Sequence, residues 1–217
     1  MAGFLAEYGA KLDEVEAVAA LLALGKAVNW NSRLSGWISD AANEKGRDTF
    51  YNQALNPLVT YVCRGSAALE TTVCARINSS PVPVSAAVKP MDARTVDWPA
   101  DIWITDPGYA DAINYEELSE FFLAWYEKRL PQLFPGWYTD SKRALAVKGK
   151  DEDFRRAMVE CYRRFVQLMP PNGFQIVMFT HQDAEVWSDL ALILWAAGLQ
   201  VSVAWTVATE TLSAGIR

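Results

Sequence analysis

The chain has 217 residues, of which 51% are apolar and 21% are charged, and its formal net charge is −6 at pH 7. This composition is typical of a globular protein that can bury a core, and it excludes disordered and fibrous chains. The negative charge argues against a protein that coats nucleic acid by charge alone, although one local basic face would still allow DNA binding.

No apolar run is long enough to span a bilayer, and no basic segment precedes an apolar run at Met1. Cys63, Cys74 and Cys161 form no CxxC pair, and His181 is the only histidine. We therefore predict neither a disulfide framework nor a zinc site. A cytoplasmic protein with no membrane partner and no bound metal is expected.

The first 80 residues are predicted to form a helical region. Apolar residues recur at helical spacing over residues 4–28, and a second helix is expected over residues 50–78, although Pro57 must lie in its first turns or break it. Between them lies a polar stretch, residues 29–48, in which Trp30 and Trp37 are candidate buried anchors. Residues 82–88 then read as a strand.

Residues 81–217 are predicted to be the C-terminal part of an α/β domain. Strands are expected at 101–105, 174–180 and 199–207, and helices at 115–133, 151–168 and 183–197. Glu116 and Glu117 suit a helix N-terminus, residues 170–173 stop the second helix, and Gly198 suits a left-handed cap after the third. Such alternation implies parallel strands with right-handed crossovers, hence an open, mostly parallel α/β sheet.

Ligands of open parallel sheets bind beyond the carboxyl ends of the strands. Three segments fall there: 106–109, 180–183 and 206–210. The first, Asp106-Pro107-Gly108-Tyr109, combines a carboxylate, a backbone carbonyl and an aromatic ring. These groups can accept hydrogen bonds from an exocyclic amine and stack on its base. The same four residues are also typical of a plain turn after a strand.

Residues 105–122, which read TDPGYADAINYEELSEFF, closely resemble the motif-IV region of DPPY-type amino-methyltransferases, a group of adenine-specific DNA methylases with some relatives in anti-phage defence. Trp125, Lys128 and Arg129 continue the resemblance. It implies a Rossmann-like methyltransferase fold with S-adenosylmethionine as methyl donor and DNA as substrate. It also implies that Asp106 and the Pro107 carbonyl hold the target amine, on adenine or at N4 of cytosine, and that Tyr109 stacks on the flipped base.

Two departures from the family pattern stand out. Gly108 replaces the usual second proline, which loosens the loop and removes a wall of the base pocket. The glycine-rich turn that normally holds the donor is absent from the sequence. The resemblance therefore implies a partial or reduced methylase that is completed by an upstream segment or subunit. The alternative is a catalytically inactive methyltransferase-like module for DNA binding or assembly.

Other candidates carry two interpretations each. Asp92 and Thr105 are candidate donor contacts, and Asp92 equally suits a turn or cap. Tyr115 is a second candidate for base contact. His181 suits a structural or substrate-contacting role better than that of a general base. Four arginines of the 151–168 helix could contact phosphates or form a solvated face: Arg155, Arg156, Arg163 and Arg164.

Overall fold

The computed structural model describes residues 12–32, 34–35, 37–40, 43–46, 48–51, 85–108, 113–137, 139–140, 145–147 and 151–207. The helices are α1 (Glu14–Asn31), α2 (Tyr115–Tyr126), α3 (Leu130–Leu133), α4 (Glu152–Leu168) and α5 (Ala184–Ala196), and the strands are β1 (Trp37–Asp40), β2 (Asn43–Gly46), β3 (Ile102–Thr105) and β4 (Phe174–Val177). The chain is thus of mixed α/β class.

Backbone contacts divide the chain into two compact units: unit 1 is residues 1–90 with 115–146, and unit 2 is residues 91–114 with 147–217. Helix α2 belongs to unit 1, where it packs against α1. The sequence suggests a single boundary near residue 80. The units divide differently, because α2 belongs to unit 1 although it follows β3 of unit 2 in the chain.

Helix α1 begins at a capping box. Asp13 Oδ1 accepts a hydrogen bond from the Glu16 backbone N–H at 2.8 Å, and Glu16 Oε2 accepts one from the Asp13 N–H at 3.1 Å. Two of the N–H groups that every helix start leaves unpaired are satisfied in this way. In the described part of the helix expected over residues 4–28, α1 begins at Glu14 and ends at Asn31, three residues later than predicted; residues 4–11 lie outside the described residues.

The polar stretch after α1 contains a two-stranded hairpin that the sequence analysis missed. β1 and β2 pair antiparallel, with Trp37 opposite Gly46 and Asp40 opposite Asn43. Trp30, expected as a buried anchor, is only partly buried, and its indole N–H donates to Asp48. The side chain of Trp37 and the second helix predicted over residues 50–78 lie outside the described residues, apart from Phe50 and Tyr51.

The single helix expected over residues 115–133 is divided into α2 and α3. In an unbroken helix, Pro131 could not donate a hydrogen bond to the Glu127 carbonyl, and its ring would clash with that carbonyl. Pro131 lies in the first turn of α3 instead, where no donor is required. In unit 1, Leu21, Leu24 and Val28 of α1 pack with Phe121 and Tyr126 of α2.

Unit 2 is built on the packing of α4 against α5. Five buried residues of α4 lie on one stripe at helical spacing: Phe154, Met158, Cys161, Tyr162 and Phe165. They form one core with Val186, Leu190, Ile193 and Leu194 of α5. Both helices start at aspartates, since Asp151 and Asp183 each accept a backbone N–H of the first turn. These two predicted helices are confirmed.

β3 and β4 pair in parallel, as predicted, with Ile102 opposite Phe174 and Thr105 opposite Val177. Trp103 and Val177 pack against the core of unit 2, and the Trp103 ring stacks on Phe165 with centroids 4.8 Å apart. The alternate residues, Ile102, Ile104, Phe174 and Ile176, remain exposed.

Two predicted strands differ from the structure. Residues 85–88, the described part of the strand expected at 82–88, have no regular structure. Residues 199–207 are likewise not in a strand, although Gly198 has the predicted left-handed conformation, with φ of 95°. A strand needs a hydrogen-bonded neighbour, and the described residues supply none to either segment. Residues 178–180 also lie beyond the end of β4.

Within the described ranges, no helix combines the length and apolar character that a membrane span requires.

Candidate functional site

The carboxyl ends of β3 and β4 lie side by side. The Met178 N–H donates to the Thr105 carbonyl at 2.9 Å, so the ladder continues to the point where both strands end. At the opposite end, the Phe174 N–H donates to the Asp101 carbonyl at 2.9 Å. A Cβ on Gly173 would lie 2.8 Å from that carbonyl oxygen, which explains why glycine precedes β4. The edge where parallel sheets bind ligands is therefore formed by residues 105–108 and 178–181.

Thr105 is anchored from the helical side of the sheet. Its Oγ1 accepts a hydrogen bond from Gln175 Nε2 at 3.0 Å and lies 3.4 Å from the Tyr162 hydroxyl. Burial raises the pKa of the Tyr162 hydroxyl, and the contact with Thr105 partly opposes that shift. Tyr162 is therefore a neutral hydrogen-bonding group that positions the residue before Asp106.

Tyr162 and Gln175 are site residues that the sequence analysis did not identify. Gln175 Oε1 is buried and has no hydrogen-bond partner among the described residues. The signal for Tyr162 was present in the apolar stripe of α4, but a stripe does not indicate which strand residue the helix meets. These contacts assign Thr105 a structural role at the strand end, and its predicted donor contact stays a prediction.

Asp106, Pro107 and Gly108 leave β3 at this edge. Asp106 is exposed, whereas Pro107 and Gly108 are partly buried. An exposed carboxylate at the carboxyl end of a parallel strand can reach a ligand that arrives from solvent. Tyr109, the predicted stacking residue, lies outside the described residues.

His181 lies beyond the end of β4 in a small aromatic cluster. Its Nδ1 accepts a hydrogen bond from the Asp183 N–H at 3.0 Å, and its carbonyl accepts one from the Trp187 indole at 2.9 Å. The Phe179 ring stacks on the His181 ring and meets Trp187 edge-on. These contacts show a histidine that orders the start of α5.

Asp92 caps the 3₁₀ turn Ala93–Thr95 and is held by Arg94. Arg94 Nη2 lies 2.7 Å from Asp92 Oδ2, while Oδ1 accepts both the Arg94 N–H and its Nε. Hydrogen bonds from the Arg94 side chain are the main cause that lowers the pKa of Asp92. Both carboxylate oxygens are therefore engaged within this turn, as in the turn-or-cap interpretation.

The four arginines of α4 point to different partners. Arg155 Nη2 lies 2.8 Å from Asp189 Oδ2 on α5, and this bond raises the pKa of the guanidinium. Arg163 donates to the Ala196 carbonyl at the end of α5, and Arg164 donates to the Val96 carbonyl. Arg156 is 64% exposed and lies 3.8 Å from Asp153. The four arginines therefore have different surroundings, and the exposed Arg156, which lies 3.8 Å from Asp153, is a candidate for a phosphate contact.

Two other chemistries receive no support from the described residues. Burial raises the pKa of the Cys161 thiol to about 11, so the thiol stays protonated and is a poor nucleophile. In the ranges that the structure describes, no cluster of three or more histidine, cysteine or acidic side chains could hold a metal ion.

Tyr115, the second candidate for base contact, begins α2 in unit 1 and is half-exposed.

No protein-family model, curated protein or solved structure matches this chain.

Proposed function

We propose that this chain supplies the amine-binding side of an S-adenosylmethionine-dependent DNA methyltransferase that acts on adenine, or on N4 of cytosine. The observation that carries the proposal is the position of Asp106-Pro107-Gly108, which follows β3 at the ligand-binding edge of a parallel strand pair. The resemblance of residues 105–122 to the methylase motif supplies the chemistry.

In this proposal the Asp106 carboxylate and the Pro107 carbonyl accept hydrogen bonds from the two N–H groups of the target amine. The bonds hold the nitrogen lone pair towards the methyl group and increase its electron density as it attacks. The amine proton would leave to solvent after methyl transfer. No strong general base is needed, in keeping with the structural contacts of His181.

S-Adenosylmethionine would supply the methyl group, and the described residues offer only a partial fit to it. Asp92 is engaged by Arg94, and the sequence has no glycine-rich turn. A complementary segment or subunit that carries this turn is therefore part of the proposal.

The absent turn and Gly108 favour a second candidate, an inactive methyltransferase-like module for DNA binding or assembly. Calorimetric titration of the full chain with S-adenosylmethionine separates the two. Saturable binding of S-adenosylmethionine would exclude the inactive module. Asp106→Ala should retain this binding, because Asp106 is proposed to contact the amine and not the donor. If the chain does not bind S-adenosylmethionine, the inactive module is favoured. If an added segment with the glycine-rich turn restores binding, the split enzyme is supported instead.

A further inference from the structure

Residues 201–207 have the alternating pattern of a half-buried strand, and no strand among the described residues pairs with them. Their sequence, VSVAWTV, alternates apolar side chains with small or hydroxyl-bearing ones. Val201, Val203, Trp205 and Val207 are 58–74% exposed. Within the described part of the chain, the last backbone hydrogen bond before this segment joins the Leu199 N–H to the Leu194 carbonyl, and none involves residues 201–207.

Edge strands usually carry charges or prolines that prevent pairing with other chains. Here no charged residue and no proline occurs from Leu190 to Thr209. A segment with this alternating apolar sequence is open to pairing with another strand.

The segment is nearly palindromic about Ala204. Antiparallel pairing with an identical segment places Val201 opposite Val207, Ser202 opposite Thr206, and Val203 opposite Trp205. Aromatic residues opposite β-branched ones, and hydroxyls opposite hydroxyls, are favourable cross-strand pairs. A two-fold axis through Ala204 makes all these pairs occur twice, as in an isologous dimer.

We propose that residues 201–207 pair antiparallel, across a two-fold axis at Ala204, with the same residues of a second copy of this chain. Trp205 is 74% exposed. Since a buried tryptophan covers about 150 Å² or more, its two copies supply roughly a quarter of the ~1,200 Å² of a stable interface, and the exposed valines of the segment add to that area. The inference does not depend on methyl transfer.

The test compares two double variants that lose the same apolar side chains. In the proposed register, Val203→Lys with Trp205→Lys places lysines opposite lysines at both symmetric positions. Val203→Lys with Trp205→Glu places each lysine opposite a glutamate. Sedimentation velocity of the full chain over a range of concentrations measures the dimer dissociation constant, and far-ultraviolet circular dichroism checks that both variants fold.

We expect the wild type to dimerise and the lysine–glutamate variant to dimerise at least about tenfold more tightly than the lysine–lysine variant. A wild type that is monomeric throughout, or that forms open-ended larger species, would overturn the proposal. Equal dissociation constants for the two variants would overturn it as well. Parallel pairing of the two segments predicts equal dissociation constants. It places position 203 opposite position 203 and position 205 opposite position 205 of the second copy, so like charges face each other in both variants.

Discussion

At the residue scale, Asp92 and Arg94 form a partly buried ion pair that also closes a 3₁₀ turn. Because hydrogen bonds from Arg94 depress the pKa of Asp92 below its ordinary value of 3.8, the pair stabilises the fold above that pH. The stabilisation is lost as the pH falls through the lowered pKa, when the carboxylate becomes protonated in the folded state.

We predict that Asp92→Asn lowers the free energy of unfolding by about 1 kcal/mol at pH 7. The difference from the wild type should narrow as the pH falls below 3.8. Urea denaturation at a series of pH values measures both effects. Asp97→Asn, at an exposed position nearby, is the control and should change stability by less than about 0.5 kcal/mol. A deficit for Asp92→Asn that stays constant into acid would contradict this assignment.

Arg155 and Arg156 are neighbours in sequence with different surroundings. Arg155 is bonded to Asp189, whereas Arg156 is largely exposed. If unit 2 binds DNA as proposed, Arg156→Gln should weaken binding and reduce the slope of log affinity against log salt by about 1. Arg155→Gln should leave that slope unchanged. Fluorescence anisotropy with a labelled duplex at several salt concentrations measures it, and equal slopes for the two variants would refute this distinction.

At the element scale, the end of α5 depends on Gly198. Its φ of 95° lies in the left-handed region, where a side chain is strained. We predict that Gly198→Ala lowers the free energy of unfolding by about 1 kcal/mol. The control is Gly136→Ala, because a Cβ there would meet no atom within 4 Å and φ is not positive. Thermal unfolding of both variants tests this, and equal midpoints would contradict the role of Gly198.

The elements that the sequence predicted well have local signals at both ends. Asp151 and Asp183 cap α4 and α5, the Pro-Pro-Asn-Gly run follows α4, and Gly198 follows α5. The hairpin of β1 and β2 has no comparable signal in its polar second strand. Residues 199–207 were predicted as a strand from their alternation alone. Alternation favours an extended chain, but a strand also requires a neighbouring strand that is distant in sequence.

The site could be predicted only in outline. The order of strands and helices predicted that Asp106 and His181 follow neighbouring parallel strands directly; Asp106 does follow β3 directly, whereas His181 lies four residues beyond the end of β4. The contacts of individual side chains were not predictable from spacing. Arg155 and Arg163 lie eight residues apart on the same side of the predicted helix, yet Arg155 binds the Asp189 carboxylate and Arg163 binds the Ala196 carbonyl. Tertiary partners decide such choices, because several acceptors lie within reach of a long guanidinium side chain.

At the scale of the whole molecule, unit 2 combines a helical core with a sheet of only two strands among the described residues. One sheet face is covered by α4 and α5, while Ile102, Ile104, Phe174 and Ile176 are exposed on the other. Parallel sheets usually have both faces covered. The complementary segment of the proposed methylase would meet this requirement if it added strands and helices to unit 2.

Methylation of DNA in a living host is the most direct test of the proposed activity. We would express the full chain together with a complementary segment that carries the glycine-rich donor turn, in a bacterial host without N6-adenine or N4-cytosine methylases, and quantify both modified bases by mass spectrometry. Asp106→Ala and Asp101→Ala, which lie at opposite ends of β3, form a matched pair. The account predicts a modified base above the empty-host background, its loss in Asp106→Ala, and its retention in Asp101→Ala. No modified base from the wild type, or equal amounts from the wild type and Asp106→Ala, would contradict it.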